Sequence, residues 1–248
     1  MNKLNVSEYF YSIQGEGQYQ GYPAVFFRVQ NCNLFCGMPG SDLTKKSEGA
    51  KWVCDTIPVW LKGVPMSYEE IYNGFDEKGI NKVLKEGAHL VITGGEPMLQ
   101  QDNIAGFVNY LTEKNGVKPF IEVETNGTIK PNELLEDLVD RYNVSPKLKN
   151  SANPRPLRYN PVSLQYHSDN PKSIFKFVTL DDEDTSEILE DFVNEFNIPK
   201  EKVWLMPGAY NREELWQNGQ KVAELCKQYG YKMSSRLHVE IWDKLTGV

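Results

Sequence analysis

Short runs of β-branched and aromatic residues alternate along the chain with longer segments of mixed polarity. The apolar runs PAVFFRVQ (23–30), HLVITGG (89–95), FIEVET (120–125), YNVSP (142–146), SIFKFVTL (173–180), KVWLMP (202–207) and RLHVEIW (236–242) are mostly bounded by Gly, Pro or Asn and predict strands. Helical patterns fall between several of them. Residues 67–86 open with Ser67 and carry Glu70 three positions later, the spacing of a capping box. Residues 102–114 and 131–141 are amphipathic, and Pro131 suits a first helical turn. Residues 184–196 read as an acidic helix, and 212–229 place Leu215, Gly219, Val222 and Cys226 near one helical face. Residues 37–51 (Gly/Ser/Lys-rich) and 146–161 (four prolines) predict irregular segments. Neither is long enough to separate distinct cores, so the chain reads as one domain, 1–248, with a loop inserted at about 37–53. Strand–helix alternation predicts a mostly parallel sheet with covering helices. In such sheets ligand groups gather at the C-terminal ends of strands.

The composition narrows the classes. The chain has 248 residues, 40% of them hydrophobic and 25% charged, with a net charge of −7. An acidic chain without a long Lys/Arg run argues against direct nucleic-acid binding. No apolar run approaches the roughly 20 residues of a membrane span. The opening MNKLNVSEYFYSIQGEG is too polar for a secretory signal. A cytoplasmic protein with reduced cysteines is therefore expected.

Cys32, Cys36 and Cys54 follow the first core strand, while Cys226 lies on the apolar face of a late helix and reads as core. A structural zinc takes four protein ligands, and an all-protein iron–sulfur site usually has four cysteines. Three leave one iron open to a substrate or cofactor. A Cys₃His zinc site using His89, His167 or His238, or three unrelated core thiols, are the alternatives. The strand ends add TGGEP at 93–97, ETNG at 124–127, SPK at 145–147 and MPG at 206–208.

With SIQGEG, G-x-PAVF-x-R before the first cysteine, and Cys-Asp-Thr at 54–56, the chain resembles the radical S-adenosylmethionine (SAM) superfamily and, within it, the 7-carboxy-7-deazaguanine synthase family. The similarity runs from residue 8 to about 242 and is dense in the first 150 residues. It implies a partial (β/α) barrel of about six parallel strands. It also implies a [4Fe-4S] cluster on Cys32, Cys36 and Cys54, whose open iron chelates SAM for one-electron cleavage to a 5′-deoxyadenosyl radical. Gly95 and Glu96 would engage the methionine end of SAM, Ser145, Pro146 and Lys147 would line its pocket, and Thr125 and Asn126 would support it. The implied substrate is 6-carboxy-5,6,7,8-tetrahydropterin, converted to 7-carboxy-7-deazaguanine with loss of ammonia. Ile13, Gln14 and Gly15 would meet its polar edge. Glu16, Arg28 and Thr93 would act on it, Arg28 as a planar clamp on the carboxylate. Thr56 would supply an oxygen to a Mg²⁺ that also meets the substrate. The resemblance further implies a one-electron donor such as a flavodoxin or ferredoxin, and a homodimer.

The chain departs from the pattern twice. The superfamily spacing is CxxxCxxC, but here 17 residues separate Cys36 from Cys54. His238, a candidate substrate ligand, is followed by the ten-residue tail VEIWDKLTGV, which leaves open whether it or the Val248 carboxylate reaches the pocket. His89 and His167 lack a motif and read as structural. Two other functions compete: an activating enzyme that makes a glycyl radical on a partner protein, and a zinc-stabilised binding module.

Overall fold

The computed structural model describes residues 3–40, 42, 44–245 and 247. One nine-stranded sheet organises them. Its strands are β1 (Lys3–Ile13), β2 (Pro23–Val29), β3 (Val64–Ser67), β4 (His89–Gly94), β5 (Ile121–Thr125), β6 (Arg141–Val144), β7 (Ser173–Thr179), β8 (Val203–Pro207) and β9 (Lys232–Met233). The spatial order is β3-β1-β2-β4-β5-β6-β7-β8-β9. From β2 onward every pairing is parallel, whereas β1 runs antiparallel to both β2 and β3. The expected core of six parallel strands is present as β2 and β4–β8. The antiparallel β1 and β3, and the two-residue β9, extend it at its two edges.

Among the described residues ten α-helices connect the strands: α1 (Ile57–Trp60), α2 (Tyr68–Glu77), α3 (Ile80–Lys85), α4 (Gln101–Asn115), α5 (Glu133–Glu136), α6 (Arg155–Arg158), α7 (Pro161–Asp169), α8 (Asp182–Glu187), α9 (Arg212–Tyr229) and α10 (Leu237–Trp242). The capping box at Ser67 and Glu70 forms as expected. The single helix expected over 67–86 is two, because Gly79 takes a left-handed φ of 70° that breaks the run. The helix expected over 131–141 shrinks to α5. Pro131 precedes the Asn132 cap, and the chain returns to strand at Arg141. The expected strand at 236–242 is instead α10, packed through Val239 against Ala209 and Leu215. Cys226 is buried in the core, as read from its helical face.

Side-chain alternation in the strands explains the cavity. One face carries Val25, Phe27, Leu90, Ile92, Val123 and Phe175, buried beneath the helices. The other face carries Glu8, Arg28, Thr93, Glu124, Asn143 and Lys176, which line a cavity of about 800 Å³. A sheet buried on both faces usually reads as a continuous apolar run. Here the inner face is polar because it faces a ligand-sized space rather than packed side chains.

Candidate active site

The cysteine loop leaves the C-terminal end of β2 through Asn31, whose φ of 75° suits an Asn. Cys32, Cys36 and Cys54 all line the cavity. The amide of Cys54 donates to the carbonyl of Cys36 at 3.0 Å, so the long insertion returns to its starting point. Each sulfur has a polar partner. Leu34 N donates to Cys32 Sγ at 3.4 Å, Asn153 Nδ2 to Cys36 Sγ at 3.3 Å, and Thr56 Oγ1 lies 3.2 Å from Cys54 Sγ. Donors aimed at sulfur stabilise the thiolate form and tune a cluster. Burial pushes the Cys32 thiol up to about 12 and the Cys36 thiol to about 11. Such thiols ionise at neutral pH only against strong positive charge, which iron supplies. Among the described residues no three His, Cys, Asp or Glu side chains converge on one ion. A cubane takes each thiolate on a different iron, and three thiols that open onto one cavity, each with a polar partner, suit that arrangement.

The Gly94–Gly95 pair brings two strand ends together. A Cβ at Gly95 would lie 2.2 Å from Asn31 O and 2.6 Å from Cys32 Cβ, so only glycine lets β4 end against the cysteine loop. Glu96 is fully buried and takes Met98 N at 3.0 Å, Thr125 Oγ1 at 2.8 Å and Asn126 N at 2.7 Å. It faces away from the cavity and fastens β4 to β5. Pro146 is buried and also off the wall, while Thr125, Asn126, Ser145 and Lys147 line it. Asn126 passes the connection on through Asn33 at 2.8 Å to the cysteine loop, and Lys147 Nζ donates to Ser145 Oγ at 2.8 Å.

A charged group lines the same cavity. Glu16 Oε2 is 2.5 Å from Lys176 Nζ, and Glu16 Oε1 is 3.0 Å from Arg236 Nε. Arg236 Nη2 also reaches Asp55 Oδ2 at 2.7 Å, tying the C-terminal segment to the cysteine loop. Burial alone would raise the Glu16 carboxyl, but Lys176 and then Arg236 outweigh it and hold it well below the usual carboxylate range. Ile13, Gly15, Arg28, Thr93 and His238 line the cavity as well. Gln14 is 1% exposed and its amide is used internally, with Nε2 3.5 Å from Glu122 Oε2 and Oε1 accepting from Glu16 N at 3.2 Å. Arg28 keeps a carboxylate of its own, Glu8 at 2.9 Å, and its Nη1 donates to Gly94 O at 3.3 Å. Thr93 donates to Glu124 at 2.9 Å. Burial lowers the His238 pKa and favours the neutral ring. The tail residues Asp243, Lys244, Leu245 and Gly247 close part of the rim, whereas the Val248 carboxylate lies outside the described residues.

The sequence reading missed Lys176, Arg236, Asp55, Glu122 and Asn143. Glu122 is fully buried on the sheet's inner face, where His89 Nδ1 lies at 2.7 Å and Asn143 Nδ2 donates at 2.9 Å. For Lys176, Glu122 and Asn143 the available signal was a charged or amide residue inside an apolar strand, a placement rare without a partner. His89 and His167 are structural as expected: His89 braces Glu122 and stacks on Phe120, and His167 Nδ1 is 2.9 Å from Ser173 Oγ in the core.

A parallel partial barrel with three cysteines opening onto the cavity at its strand ends defines a radical SAM enzyme. No family model matches the chain. It is 33% identical to the 7-carboxy-7-deazaguanine synthase of Pyrobaculum aerophilum over 99% of this chain and 97% of that one. It is 30% identical to the synthase of Halobacterium salinarum over 97% and 91%. The crystal structure of QueE from Escherichia coli shares the fold with a TM-score of 0.66, at 23% identity and 96% coverage of both chains. The chain belongs to the 7-carboxy-7-deazaguanine synthase family.

Proposed function

We propose that this chain forms 7-carboxy-7-deazaguanine from 6-carboxy-5,6,7,8-tetrahydropterin with loss of ammonia, as a radical SAM lyase of preQ0 and queuosine biosynthesis. The observation that carries the reading is one cavity lined both by the three cysteines and by Glu16 with its two cations. When bound, the cluster and SAM supply one-electron bond cleavage and hydrogen-atom abstraction. The protein's own residues position the substrate. Glu16, kept ionised, accepts from amino and ring N–H groups of a flat polar heterocycle. Arg28 and Lys176 meet a carboxylate. Thr93, held by Glu124, presents its hydroxyl oxygen as an acceptor. Ser145, Lys147, Thr125 and Asn126 line the SAM side, with Gly95 giving the backbone its close approach. Glu96 acts there by fastening Thr125 and Asn126 rather than by touching the ligand, and Pro146 by shaping the turn. The tail residues and α10 exclude water.

Thr56 is proposed to hold Mg²⁺ against the substrate carboxylate. It caps α1 through its backbone alone, so its hydroxyl is not spent on the helix and lies at the cavity wall. Mg²⁺ takes few protein ligands and keeps several sites for substrate and water. Turnover should rise on adding Mg²⁺, and Thr56→Val should lower it severely while iron content stays unchanged. Indifference to both would remove the metal from the proposal. A flavodoxin- or ferredoxin-like donor, a homodimer and a cytoplasmic location complete the reading. No helix among the described residues is long and apolar enough to cross a membrane.

A further inference from the structure

The 17 residues between Cys36 and Cys54 pose a physical problem. Lengthening a flexible connection from two residues to 17 raises the closure entropy, and it frees the third cysteine from the first two. Two features at the base of the insertion restore the short connection. The first is a pinch at Gly37, directly after Cys36. Its φ is +81°, and a Cβ there would lie 2.1 Å from Trp52 O and 2.6 Å from Val53 Cα. The outgoing and returning strands of the loop therefore touch backbone to backbone. Gly37 N also donates to Ser151 O at 2.8 Å, and Ser47 N donates back to Gly37 O at 2.8 Å.

The second feature is Lys51. Its ammonium meets three carboxylates at once: Asp181 Oδ2 at 2.8 Å, Glu183 Oε2 at 3.0 Å and Asp184 Oδ1 at 3.0 Å. These lie at the start of α8, across the 148–153 turn. Lys51 N donates to Asn150 O at 2.8 Å, and the neighbouring Trp52 Nε1 donates to Asn150 Oδ1 at 2.8 Å. The clamp is partly shielded from solvent, the Asp184 side chain being 2% exposed. That shielding makes the Lys51–Asp184 pair stronger than a surface pair, while Glu183, 67% exposed, adds little. Only Trp52 and Val53 separate the clamped Lys51 from Cys54, the same two-residue gap as in CxxC.

We propose that Lys51 is a positioning residue for the cluster. Its triple ion pair fixes the end of the insertion, so that Cys54 stands in place beside Cys36 before iron arrives. Lys51 touches neither substrate nor sulfur and acts through the chain that carries Cys54. The inference rests on the reading of Cys54 as a ligand, but its first test needs no iron.

In the metal-free full-length chain, the rate at which iodoacetamide alkylates Cys54 is followed by peptide mass spectrometry, with Cys226 as the internal reference. Lys51→Met should raise the Cys54 rate several-fold and leave the Cys226 rate unchanged, while Lys51→Arg stays close to the unaltered chain. After anaerobic reconstitution and desalting, Lys51→Met should lose most of its iron and Lys51→Arg should keep it. Lys51→Gln, which keeps the length and a donor but not the charge, is read in the same way should the methionine variant fail to fold. A Cys54 rate and an iron content in the neutral variants equal to those of the unaltered chain would overturn the proposal. An unaltered chain that takes up no iron would instead count against the ligand reading, and the alkylation rates would still decide the role of Lys51.

Discussion

Lys176 Nζ sits 2.5 Å from Glu16 Oε2 although they stand 160 positions apart, and both are largely removed from solvent. The pair joins the SIQGEG turn to the middle of β7. Breaking a buried pair from one side strands the other charge and costs about 3–5 kcal/mol. Arg236 remains beside Glu16, so Lys176→Met should cost less, about 2 kcal/mol. Lys176→Met and Glu16→Gln together should cost less than the sum of the two single changes, because each single change already forfeits the pair. Denaturant melts of the three variants check this. A double cost equal to the sum would show that the pair is not the unit acting here. Both single variants should lower kcat/KM by at least about tenfold, the scale of one lost charge-assisted contact.

Gly15 and His238 are in steric contact. A Cβ on Gly15 would lie 2.1 Å from His238 Nδ1, and Leu237 N donates to Gly15 O at 2.9 Å. Gly15→Ala should therefore push α10 outward and raise KM more than it lowers kcat. In a His238→Ala background the same change should do little. Equal effects of Gly15→Ala in both backgrounds, measured as a double-mutant cycle, would place the strain elsewhere.

Stability in mild acid turns on His167. Burial lowers its pKa from 6.5 to about 4. Between those values the unfolded chain binds a proton that the folded chain does not, so stability falls as pH falls from about 6.5 to about 4. Fully expressed, this is about 3 kcal/mol. His238 is shifted in the same direction, so His167→Phe should flatten that limb without abolishing it. Unfolding free energies at pH 6.5 and 4.5 test it, and an unchanged slope would contradict it.

The six parallel strands were legible because each is an apolar run that must be buried. β1 was not: in KLNVSEYFYSI polar and apolar positions alternate, and the strand pairs antiparallel outside the parallel core. α10 reads as a strand by its β-branched residues, yet Arg236 opens it and turns into the cavity toward Glu16 and Asp55. The cysteines were legible by spacing and motif. Lys176, Glu122 and Asn143 were hidden inside strands whose neighbours mark them as core, and only sheet alternation reveals that they face inward. Glu96 carries a further role that its motif did not announce: it accepts from three donors behind the strand ends and so ties β4 to β5.

Synthesis of the deazaguanine is tested most directly by anaerobic reconstitution with iron and sulfide, followed by mass spectrometry of the products formed from 6-carboxy-5,6,7,8-tetrahydropterin, SAM and a one-electron reductant. The expected result is 7-carboxy-7-deazaguanine in many turnovers per SAM. It should be lost on changing Cys32, Cys36 or Cys54 to Ala and retained in Cys226→Ala. A chain with its full iron complement that leaves the pterin untouched, or that consumes SAM stoichiometrically to place a radical on a partner protein, would contradict the account.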